Sequence, residues 1–242
     1  MNAYGAIASL YEYLMDVNYD EWADYIRSLI SPYLKGHVGV DAGCGSGAFT
    51  RRFKKAGLNV TGMDISPEML SVAERKAKDE GLNILYVLGD MRKMKLSSKV
   101  HFITAITDCM NYVKKEDVEK TFRHFASCLV KGGVLAFDIS TEYKLKNVIG
   151  NNMFGEDGDD FSYLWFNTQT PEGVEMEISA FIREKGDFFI KKEERHFQYF
   201  HTENELKTAL DKAGFDLIKT EGHLGEKVTE TTERLNFLAV KR

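Results

Sequence analysis

The hydrophobic pattern between residues 38 and 139 alternates between short apolar runs and amphipathic stretches. Short apolar runs predict strands, whereas apolar positions that recur with helical spacing predict helices. The predicted strands cover residues 38–41, 59–64, 84–88, 100–107 and 134–139, and the predicted helices cover residues 48–56, 67–80 and 116–129. Ser66 and Pro67 start the second of these helices as its N-cap and first helical residue. This β-α-β rhythm predicts an α/β fold with a doubly wound, mostly parallel sheet.

The pattern changes after residue 139. Residues 150–160 are rich in glycine, asparagine and acidic side chains and predict a solvated loop. Apolar and polar positions alternate within residues 161–200, with a turn signal at residues 185–187, which predicts antiparallel strands. A helix over residues 203–213, capped by Thr202, and strands over residues 215–220 and 235–240 complete a seven-stranded sheet.

These elements divide the chain into three parts. Residues 1–33 predict two helices, because apolar and aromatic side chains recur at helical spacing. Residues 1–35 are therefore expected to form an N-terminal helical cap, and residues 36–142 and 201–242 the α/β core. Residues 143–200 are expected to form a small antiparallel β insertion that roofs the substrate cleft.

Composition places the chain among ordinary globular proteins. Of its 242 residues, 43% are hydrophobic and 29% are charged, which predicts a folded core. The formal net charge of −5 gives no electrostatic reason to expect nucleic acid as a partner. The three cysteines and six histidines show neither disulfide nor metal-ligand spacing. No signal peptide or membrane-spanning run is evident, so we expect a cytoplasmic protein without a metal.

Three glycines follow the first predicted strand in the loop DAGCGSG, residues 41–47. Glycine lets the backbone turn sharply and approach a ligand closely, where a Cβ would clash. Such a loop between a strand and a helix is typical of nucleotide-cofactor sites, but it also occurs in tight turns that bind nothing. Gly43, Gly45 and Ala48 also match the G-x-G-x-x-A pattern of dinucleotide oxidoreductases. The loop alone leaves these alternatives open.

An aspartate stands at the end of each of the first three predicted strands: Asp41, Asp64 and Asp90. Asp41, beside the loop, would repel a pyrophosphate, whereas it suits a ligand with an ammonium group and a cationic sulfur. Asp64 can accept hydrogen bonds from both hydroxyls of a ribose. Asp90 can accept one from an adenine amino group, while Met91 supplies an apolar flank. Together the three carboxylates favour an adenosyl ligand without phosphates.

Several motifs resemble those of class I S-adenosylmethionine-dependent methyltransferases. They are VDAGCGSG at residues 40–47, MDISPEML at residues 63–70, GDM at residues 89–91 and LVKGGV at residues 129–134. The resemblance covers about residues 36–140, and it extends more loosely to a bacterial branch with an antiparallel β insertion before the last helix. It implies a Rossmann-like methyltransferase fold with S-adenosylmethionine as the cofactor.

The resemblance also implies which residues contact the cofactor. In the bacterial branch, the stretch similar to residues 8–22 lies over the cofactor, which gives Tyr11 and Trp22 a role. Cys44 stands where such loops often carry a small residue, and we interpret it as spacing rather than as a nucleophile. The expected cofactor-binding residues are Tyr11, Trp22, Asp41, Gly43, Cys44, Gly45, Asp64, Ile65, Met69, Gly89, Asp90, Met91 and Asp108.

Methyl transfer from a sulfonium is an in-line displacement, so the protein mainly has to hold the nucleophile close and aligned. In a doubly wound sheet the reaction centre lies off the carboxyl ends of the strands, and strand four ends in TDCMNY, residues 107–112. We expect Asp108 to orient an amine or to act as its base, and Asn111 and Tyr112 to position the substrate. The alternative is that Asp108 contacts only the cofactor or caps a loop.

The insertion supplies a fourth catalytic candidate. His196, within HFQ at residues 196–198, loosely resembles a histidine feature of the bacterial branch. A lone histidine in an amphipathic strand is, however, more often held in place by a hydrogen bond without a catalytic role. The more suggestive side chains of the insertion are Trp165, Arg183, Arg195, His196 and Tyr199.

We expect the acceptor to be a small molecule that is methylated at an amine nitrogen. No Asp-Pro-Pro-Tyr-like sequence follows strand four, and methyltransferases that act on exocyclic amines of nucleic-acid bases commonly carry that motif. Its absence argues against a nucleic-acid substrate. Two alternatives remain: an NAD(P)-dependent oxidoreductase on the same glycine loop, and a non-catalytic sensor that binds S-adenosylmethionine. The sequence leaves the oligomeric state open.

Overall fold

The structure of the protein, a computed structural model, describes residues 17–242 together with Ala8 and Glu12. The first of the two predicted N-terminal helices therefore falls largely outside the described residues. The second is helix α1, Tyr19–Ile30, whose N-cap Asn18 accepts a hydrogen bond from the Glu21 N–H at 3.2 Å. The buried face of α1 includes Trp22 and Ile26.

The β-α-β rhythm predicted for the middle of the chain is confirmed. It comprises β1 Val38–Ala42, α2 Ala48–Lys55, β2 Asn59–Asp64, α3 Pro67–Asp79, β3 Tyr86–Leu88, β4 Val100–Ala105, α4 Lys115–Cys128 and β5 Leu129–Ser140. Ser66 caps α3 by accepting a hydrogen bond from the Met69 N–H at 3.2 Å, and Pro67 is its first residue. Proline fits this position because its missing N–H would have no partner inside the helix.

A seven-stranded, mostly parallel sheet forms the centre of the molecule, as predicted. Its strand order is β10-β11-β5-β4-β1-β2-β3. The last elements are α5 Glu203–Lys212, β10 Phe215–Glu221 and β11 Arg234–Lys241, and β11 runs antiparallel to both of its neighbours. The chain moves outward from β1 to β3 and returns to β4 on the other side of β1. Such a reversal opens a crevice at the carboxyl ends of β1 and β4.

A separate antiparallel sheet is built from residues of the predicted insertion. It contains β6 Met153–Asp157, β7 Phe161–Gln169, β8 Gly173–Lys185 and β9 Phe188–Tyr199, in that spatial order. Alternate side chains of β8, including Val174 and Met176, are buried and pack with Leu145 and Ile149. These last two belong to a short helical segment, Lys144–Ile149, that links the two sheets.

The prediction of a loop over residues 150–160 is wrong, because this stretch contains β6. Met153 pairs with Phe166 in the β6–β7 register, and the Phe154 ring lies 5.6 Å from the Trp165 ring. β6 is an edge strand, so it needs hydrogen bonds on one side only and can carry polar side chains. The glycine-rich, acidic composition of this stretch therefore predicted a loop where the structure has a strand.

Two apolar clusters cover the faces of the central sheet. One includes Phe122, Phe137 and Phe237, and the other includes Trp22 and Phe53. Both faces are thus buried, as expected for a parallel sheet with helices on each side. Among the described residues, no helix combines the length and the apolar character needed to cross a membrane.

Candidate functional site

A cavity of about 470 Å³ opens at the crevice between the carboxyl ends of β1 and β4. Its volume lies within the range of small-molecule sites. What we call the core half is lined by residues 43–46, 64–65, 69 and 89–92, and what we call the insertion half by residues 175, 195–197 and 199. The turn after β4 also contributes to the cavity wall, with Thr107, Cys109, Tyr112 and Val113. The cavity therefore joins both sheets.

The glycine loop forms one wall of the core half. Gly43, Gly45 and Gly47 have φ values of 73°, 53° and 77°, a region that favours glycine. A Cβ on Gly43 would lie 2.9 Å from the Cβ of Cys109, and one on Gly47 would lie 2.5 Å from the Tyr86 hydroxyl. A Cβ on Gly45 would meet no described atom within 4 Å. At Gly45 the loop presents bare backbone to the cavity.

Asp64, at the end of β2, is anchored by a backbone donor on each carboxylate oxygen. The Gly45 N–H donates to Oδ2 at 2.8 Å, and the Ser66 N–H donates to Oδ1 at 2.9 Å. Each oxygen retains a second lone pair, and the side chain lines the cavity beside Ile65 and Met69. Burial raises the pKa of Asp64 in spite of these donors. Two further donors from a ligand would therefore stabilise its ionised form.

Asp90, which follows β3, is held by its neighbour Arg92. The Arg92 backbone N–H donates to Oδ1 at 2.9 Å, and the guanidinium Nη2 donates to Oδ2 at 2.8 Å. Burial alone would raise the pKa of Asp90, but the hydrogen bonds from Arg92 outweigh it and hold the pKa below its ordinary value. Gly89 and Met91 also line the cavity. Asp90 is thus an ionised acceptor with an apolar flank.

Asp41 lies beneath the glycine loop rather than on the cavity wall. Its carboxylate accepts from Thr50 Oγ1 at 2.6 Å and from Thr104 Oγ1 at 2.8 Å. The net pKa of Asp41 is raised to about 6: burial is the main cause, the nearby Asp64 carboxylate adds to it, and the two hydroxyls only partly offset it. A role for Asp41 in cofactor binding stays a prediction.

The raised pKa of Asp41 predicts a pH-dependent stability. Its folded pKa is about 6 and its ordinary pKa is 3.8, so the folded state binds more protons between these values. The contribution of Asp41 to the free energy of unfolding should therefore decrease by about 3 kcal/mol as the pH rises from about 4 to about 7. We expect this contribution to disappear in Asp41→Asn, as measured by urea unfolding at both pH values.

Asp138 serves as an internal reference for this experiment. Burial raises its pKa to about 6 as well, and it contributes the same slope to wild type and to Asp41→Asn. The difference between the two proteins therefore isolates Asp41. Parallel pH profiles of the two proteins would show that Asp41 does not titrate in this way.

Strands β8 and β9 supply the insertion half of the cavity. The register pairs Glu175 with Phe197 and Glu177 with Arg195, so these four side chains share one face of the sheet with Tyr199. Arg195 forms an ion pair with Glu177 at 2.5 Å. Glu175 is half-buried and has no hydrogen bond or ion pair to any described residue. Among the described residues that line the cavity, it is the one charged side chain without a partner.

His196 lies on the other face of β9, and its side chain is fully buried although the residue adjoins the cavity. Its Nε2 lies 3.0 Å from Oε2 of Glu194. Because a carboxylate only accepts, Nε2 carries a proton, and Nδ1 is the basic nitrogen of the neutral ring. The Tyr112 ring meets the imidazole edge-on, with centroids 6.2 Å apart. The structure thus places Tyr112 at the cavity in contact with His196, but the His196 side chain has no exposed surface there.

The other two predicted catalytic side chains, Asp108 and Asn111, are buried and do not line the cavity. Asp108 Oδ1 accepts from Arg234 Nη2 at 2.9 Å, and Oδ2 accepts from Gln198 Nε2 at 2.5 Å. Burial alone would raise the pKa of Asp108, but Arg234 holds it below its ordinary value. Asn111 exchanges hydrogen bonds with the Ser140 backbone at 2.9 and 3.0 Å. Both side chains are therefore occupied by the protein itself.

Helix α1 contributes Tyr19 to the cavity wall and not Trp22. Trp22 packs edge-on against Phe49 at 5.1 Å, and the Arg234 guanidinium lies 4.8 Å from its ring centroid. Tyr11 lies outside the described residues. The Tyr19 hydroxyl is buried at the cavity, and no described residue forms a hydrogen bond with it. Tyr19 is thus a candidate ligand donor that the sequence did not single out.

Strand β9 carries a signal that would have identified more of the site. Glu194, His196 and Gln198 occupy every second position, and all three are buried. An inward strand face normally carries apolar residues, because buried polar groups cost free energy unless they are bonded. Of the five residues suggested in the insertion, Arg195, His196 and Tyr199 line the cavity, whereas Trp165 and Arg183 do not. Within the described part of the chain, no group of three or more metal-ligating side chains is arranged to hold an ion.

Known proteins are similar in sequence to this chain over nearly its full length. A family model described as a methyltransferase domain matches residues 40–133. A protein of Geobacillus sp. (strain WCH70), named provisionally as a methyltransferase, is 30% identical over 98% of this chain and 99% of its own. The YqeM protein of Bacillus subtilis (strain 168), named in the same way, is 31% identical over 98% of this chain and 97% of its own.

A solved structure matches the fold to the same extent. It is an S-adenosylmethionine-dependent methyltransferase from Clostridium acetobutylicum ATCC 824, 31% identical, with a TM-score of 0.90 over 99% of both chains. Because the match spans both chains, it includes the antiparallel sheet as well as the central one. These relatives do not favour the two alternatives raised by the sequence, a dinucleotide oxidoreductase and a non-catalytic sensor.

Proposed function

Since this chain belongs to the class I S-adenosylmethionine-dependent methyltransferases, we propose that it methylates an amine nitrogen of a small molecule. S-Adenosylmethionine is the cofactor, as in its relatives. The acceptor follows from one observation, the carboxylate of Glu175, which faces the cavity without a partner among the described residues.

The core half of the cavity fits an adenosyl cofactor. Gly45 offers backbone that a ligand can touch, because a Cβ there would point into open space. Asp64 retains two lone pairs for the ribose hydroxyls, and Asp90 beside Met91 suits the adenine amino group and ring. The buried Tyr19 hydroxyl would donate to the carboxylate of the amino-acid end. We propose that these residues hold S-adenosylmethionine.

An amine is the acceptor group that best satisfies Glu175. A partly buried carboxylate without a partner is unfavourable, and a protonated amine would supply both a positive charge and N–H donors. A neutral alcohol would supply a donor but no charge. We therefore place the acceptor amine in the insertion half, with Glu175 attracting its ammonium form.

The chain's own residues prepare the nucleophile. When bound, the cofactor supplies a methyl group on a cationic sulfur. An amine attacks only with a free lone pair, so its ammonium form must first lose a proton. We assign this step to Glu175: the proton passes from the ammonium nitrogen to the carboxylate, which faces the cavity, and later from the carboxylate to solvent.

Labelled S-adenosylmethionine decides which atom is methylated. The purified protein is incubated with cofactor that carries a ¹³C methyl group and with a small-molecule extract of bacterial cells. Carbon NMR then distinguishes N-methyl from O-methyl products. We expect N-methyl signals that require the protein. Exclusive O-methyl products would overturn the amine assignment and leave the methyltransferase activity standing.

Glu175→Gln should weaken acceptor binding without affecting the cofactor. The substitution removes a charge-assisted hydrogen bond of about 1.5–3 kcal/mol, so KM for the amine should rise by roughly 10- to 100-fold. The affinity for S-adenosylmethionine, measured by calorimetry, should stay that of wild type. Glu184→Gln is the matched control, because Glu184 is exposed on the same strand. An unchanged KM in Glu175→Gln, or an equal rise in both variants, would contradict the assignment.

A further inference from the structure

The turn after β4 contains two consecutive residues in the left-handed region. Thr107 has a φ of 64° and Asp108 has a φ of 49°. This conformation is unfavourable for a residue with a Cβ and persists only where the surroundings enforce it. Thr107 and Cys109, on either side of Asp108, line the cavity. The backbone at the cavity wall is therefore strained and has to be held.

Buried ionic contacts hold this turn. The Asp108 N–H donates to the Asp138 carboxylate at 3.2 Å, and Asp108 Oδ1 accepts from Arg234 Nη2 at 2.9 Å. The other arm of the guanidinium, Nη1, donates to Asp138 Oδ2. All three side chains are buried. Without Arg234, two carboxylates would face each other in the interior, which is strongly unfavourable.

The same guanidinium reaches the N-terminal helix. Arg234 is the first residue of β11, and its guanidinium carbon lies 4.8 Å from the centroid of the Trp22 ring in α1. This is a cation–π geometry, and it fills the face of the guanidinium while the edges bond to Asp108 and Asp138. One side chain thus connects α1, β5, β11 and the turn after β4.

A second set of contacts continues from Asp108 to the cavity. Asp108 Oδ2 accepts from Gln198 Nε2 at 2.5 Å, and the same Nε2 lies 3.4 Å from the Tyr112 hydroxyl. Gln198 belongs to β9, so this bond ties the insertion to the turn after β4. Tyr112 in turn contacts His196. Contacts therefore run without a break from Arg234 to Tyr112 at the cavity wall.

We propose that Arg234 is a positioning residue of the methyl-transfer site. It holds the strained turn at the cavity wall through Asp108 and, through Gln198, holds β9 and Tyr112 in register with that turn. This role rests on the function proposed above in one respect, namely that Tyr112 meets the acceptor.

The test separates positioning from stability with two variants. Arg234→Met removes the cation, and Arg234→Met/Asp138→Asn also removes one of the facing carboxylates. The amide oxygen that Asp138→Asn introduces would still accept from the Asp108 N–H. The matched control is Arg123→Met, because Arg123 forms an exposed pair with Glu119. The readouts are the thermal midpoint, amide hydrogen exchange by mass spectrometry, and calorimetric affinity for S-adenosylmethionine.

Arg234→Met alone should lower the thermal midpoint, and the double variant should recover most of that loss. Exchange at residues 107–112 and 194–199 should nevertheless stay at least ~10-fold faster than wild type in the double variant, because local opening is no longer opposed. Exchange in β1 and β2 and the affinity for S-adenosylmethionine should return to the values of wild type. Arg123→Met should match wild type throughout.

Two results would overturn the proposal. One is wild-type exchange at residues 107–112 and 194–199 in the double variant. The other is faster exchange spread evenly over the whole central sheet, which would mean that Arg234 only stabilises the fold. If Arg234→Met fails to fold, the double variant still gives the decisive comparison. The readouts need no acceptor, so they remain informative even if the acceptor is not an amine.

Discussion

Asp64→Ala should bind S-adenosylmethionine at least ~100-fold more weakly than wild type. The substitution removes the acceptor that we propose for two ribose hydroxyls, and hydrogen bonds to a charged group contribute about 1.5–3 kcal/mol each. It also leaves the Gly45 and Ser66 N–H groups without the carboxylate to which they donate at 2.8 and 2.9 Å. Calorimetric titration with S-adenosylmethionine measures the loss.

Two further variants sharpen this measurement. Asp64→Asn keeps the size and one acceptor oxygen, so its loss should be smaller than that of Asp64→Ala. Asp24→Ala, which removes an exposed carboxylate paired with Arg27, should bind as wild type does. Wild-type affinity in Asp64→Ala would mean that the cofactor does not lie in the core half of the cavity.

Gly47→Ala should destabilise the fold more than Gly45→Ala does. A methyl group on Gly47 would lie 2.5 Å from the Tyr86 hydroxyl and 3.0 Å from Ala73 Cβ, at a φ of +77°. Overpacking and backbone strain together should destabilise Gly47→Ala by about 3 kcal/mol. Gly45 also has a positive φ, but a methyl group there would meet no described atom, so only strain of about 1 kcal/mol is expected.

Cofactor binding should show the reverse order. The methyl group of Gly45→Ala would occupy space in the cavity, and the affinity for S-adenosylmethionine should fall by roughly 10-fold or more because a ligand atom must move away. Urea unfolding and calorimetry on both variants give the four values required. Equal stability losses in the two proteins, or undiminished affinity in Gly45→Ala, would contradict the cavity geometry.

The central sheet was predictable because each of its elements carries a local signal. Ser66-Pro67 marks a helix start by itself, and the strand before the glycine loop is visible as an apolar run. The β-α-β rhythm then predicts parallel strands, whereas the strand order itself comes from the structure. The edge strand β6 escaped prediction, because a strand bonded on one side places no strict demand on the polarity of its residues.

The core half of the cavity was predictable for a similar reason. Asp64 and Asp90 each end a strand, and the carboxyl ends of neighbouring parallel strands meet at one edge of the sheet. The structure places both on the cavity wall, and it places Asp41 underneath. The spacing of apolar residues and the order of the strands locate a residue at the edge of a sheet. They do not determine whether its side chain points into the crevice or back into the core.

The roles of Asp108 and Arg234 could not be predicted from spacing. The two residues are separated by 126 positions, and Asp108 and Gln198 by 90. Nothing local to residues 107–112 indicates that both oxygens of Asp108 are already bonded. From the sequence, a short polar run after a strand predicts several side chains that could bind a ligand. Tertiary contacts decide which of these side chains are already bonded within the protein.

Strand β11 lies between β5 and β10, although Arg234 follows Asp138 by 96 residues. During synthesis β5 therefore leaves the ribosome well before the strand that covers its edge. An unpaired apolar edge favours aggregation, and strand pairs distant in sequence form slowly. During that interval the Asp138 carboxylate also lacks the Arg234 guanidinium with which it pairs in the folded protein. We therefore expect the yield of soluble protein in a growing cell to depend on how soon β11 pairs with β5, independently of catalysis.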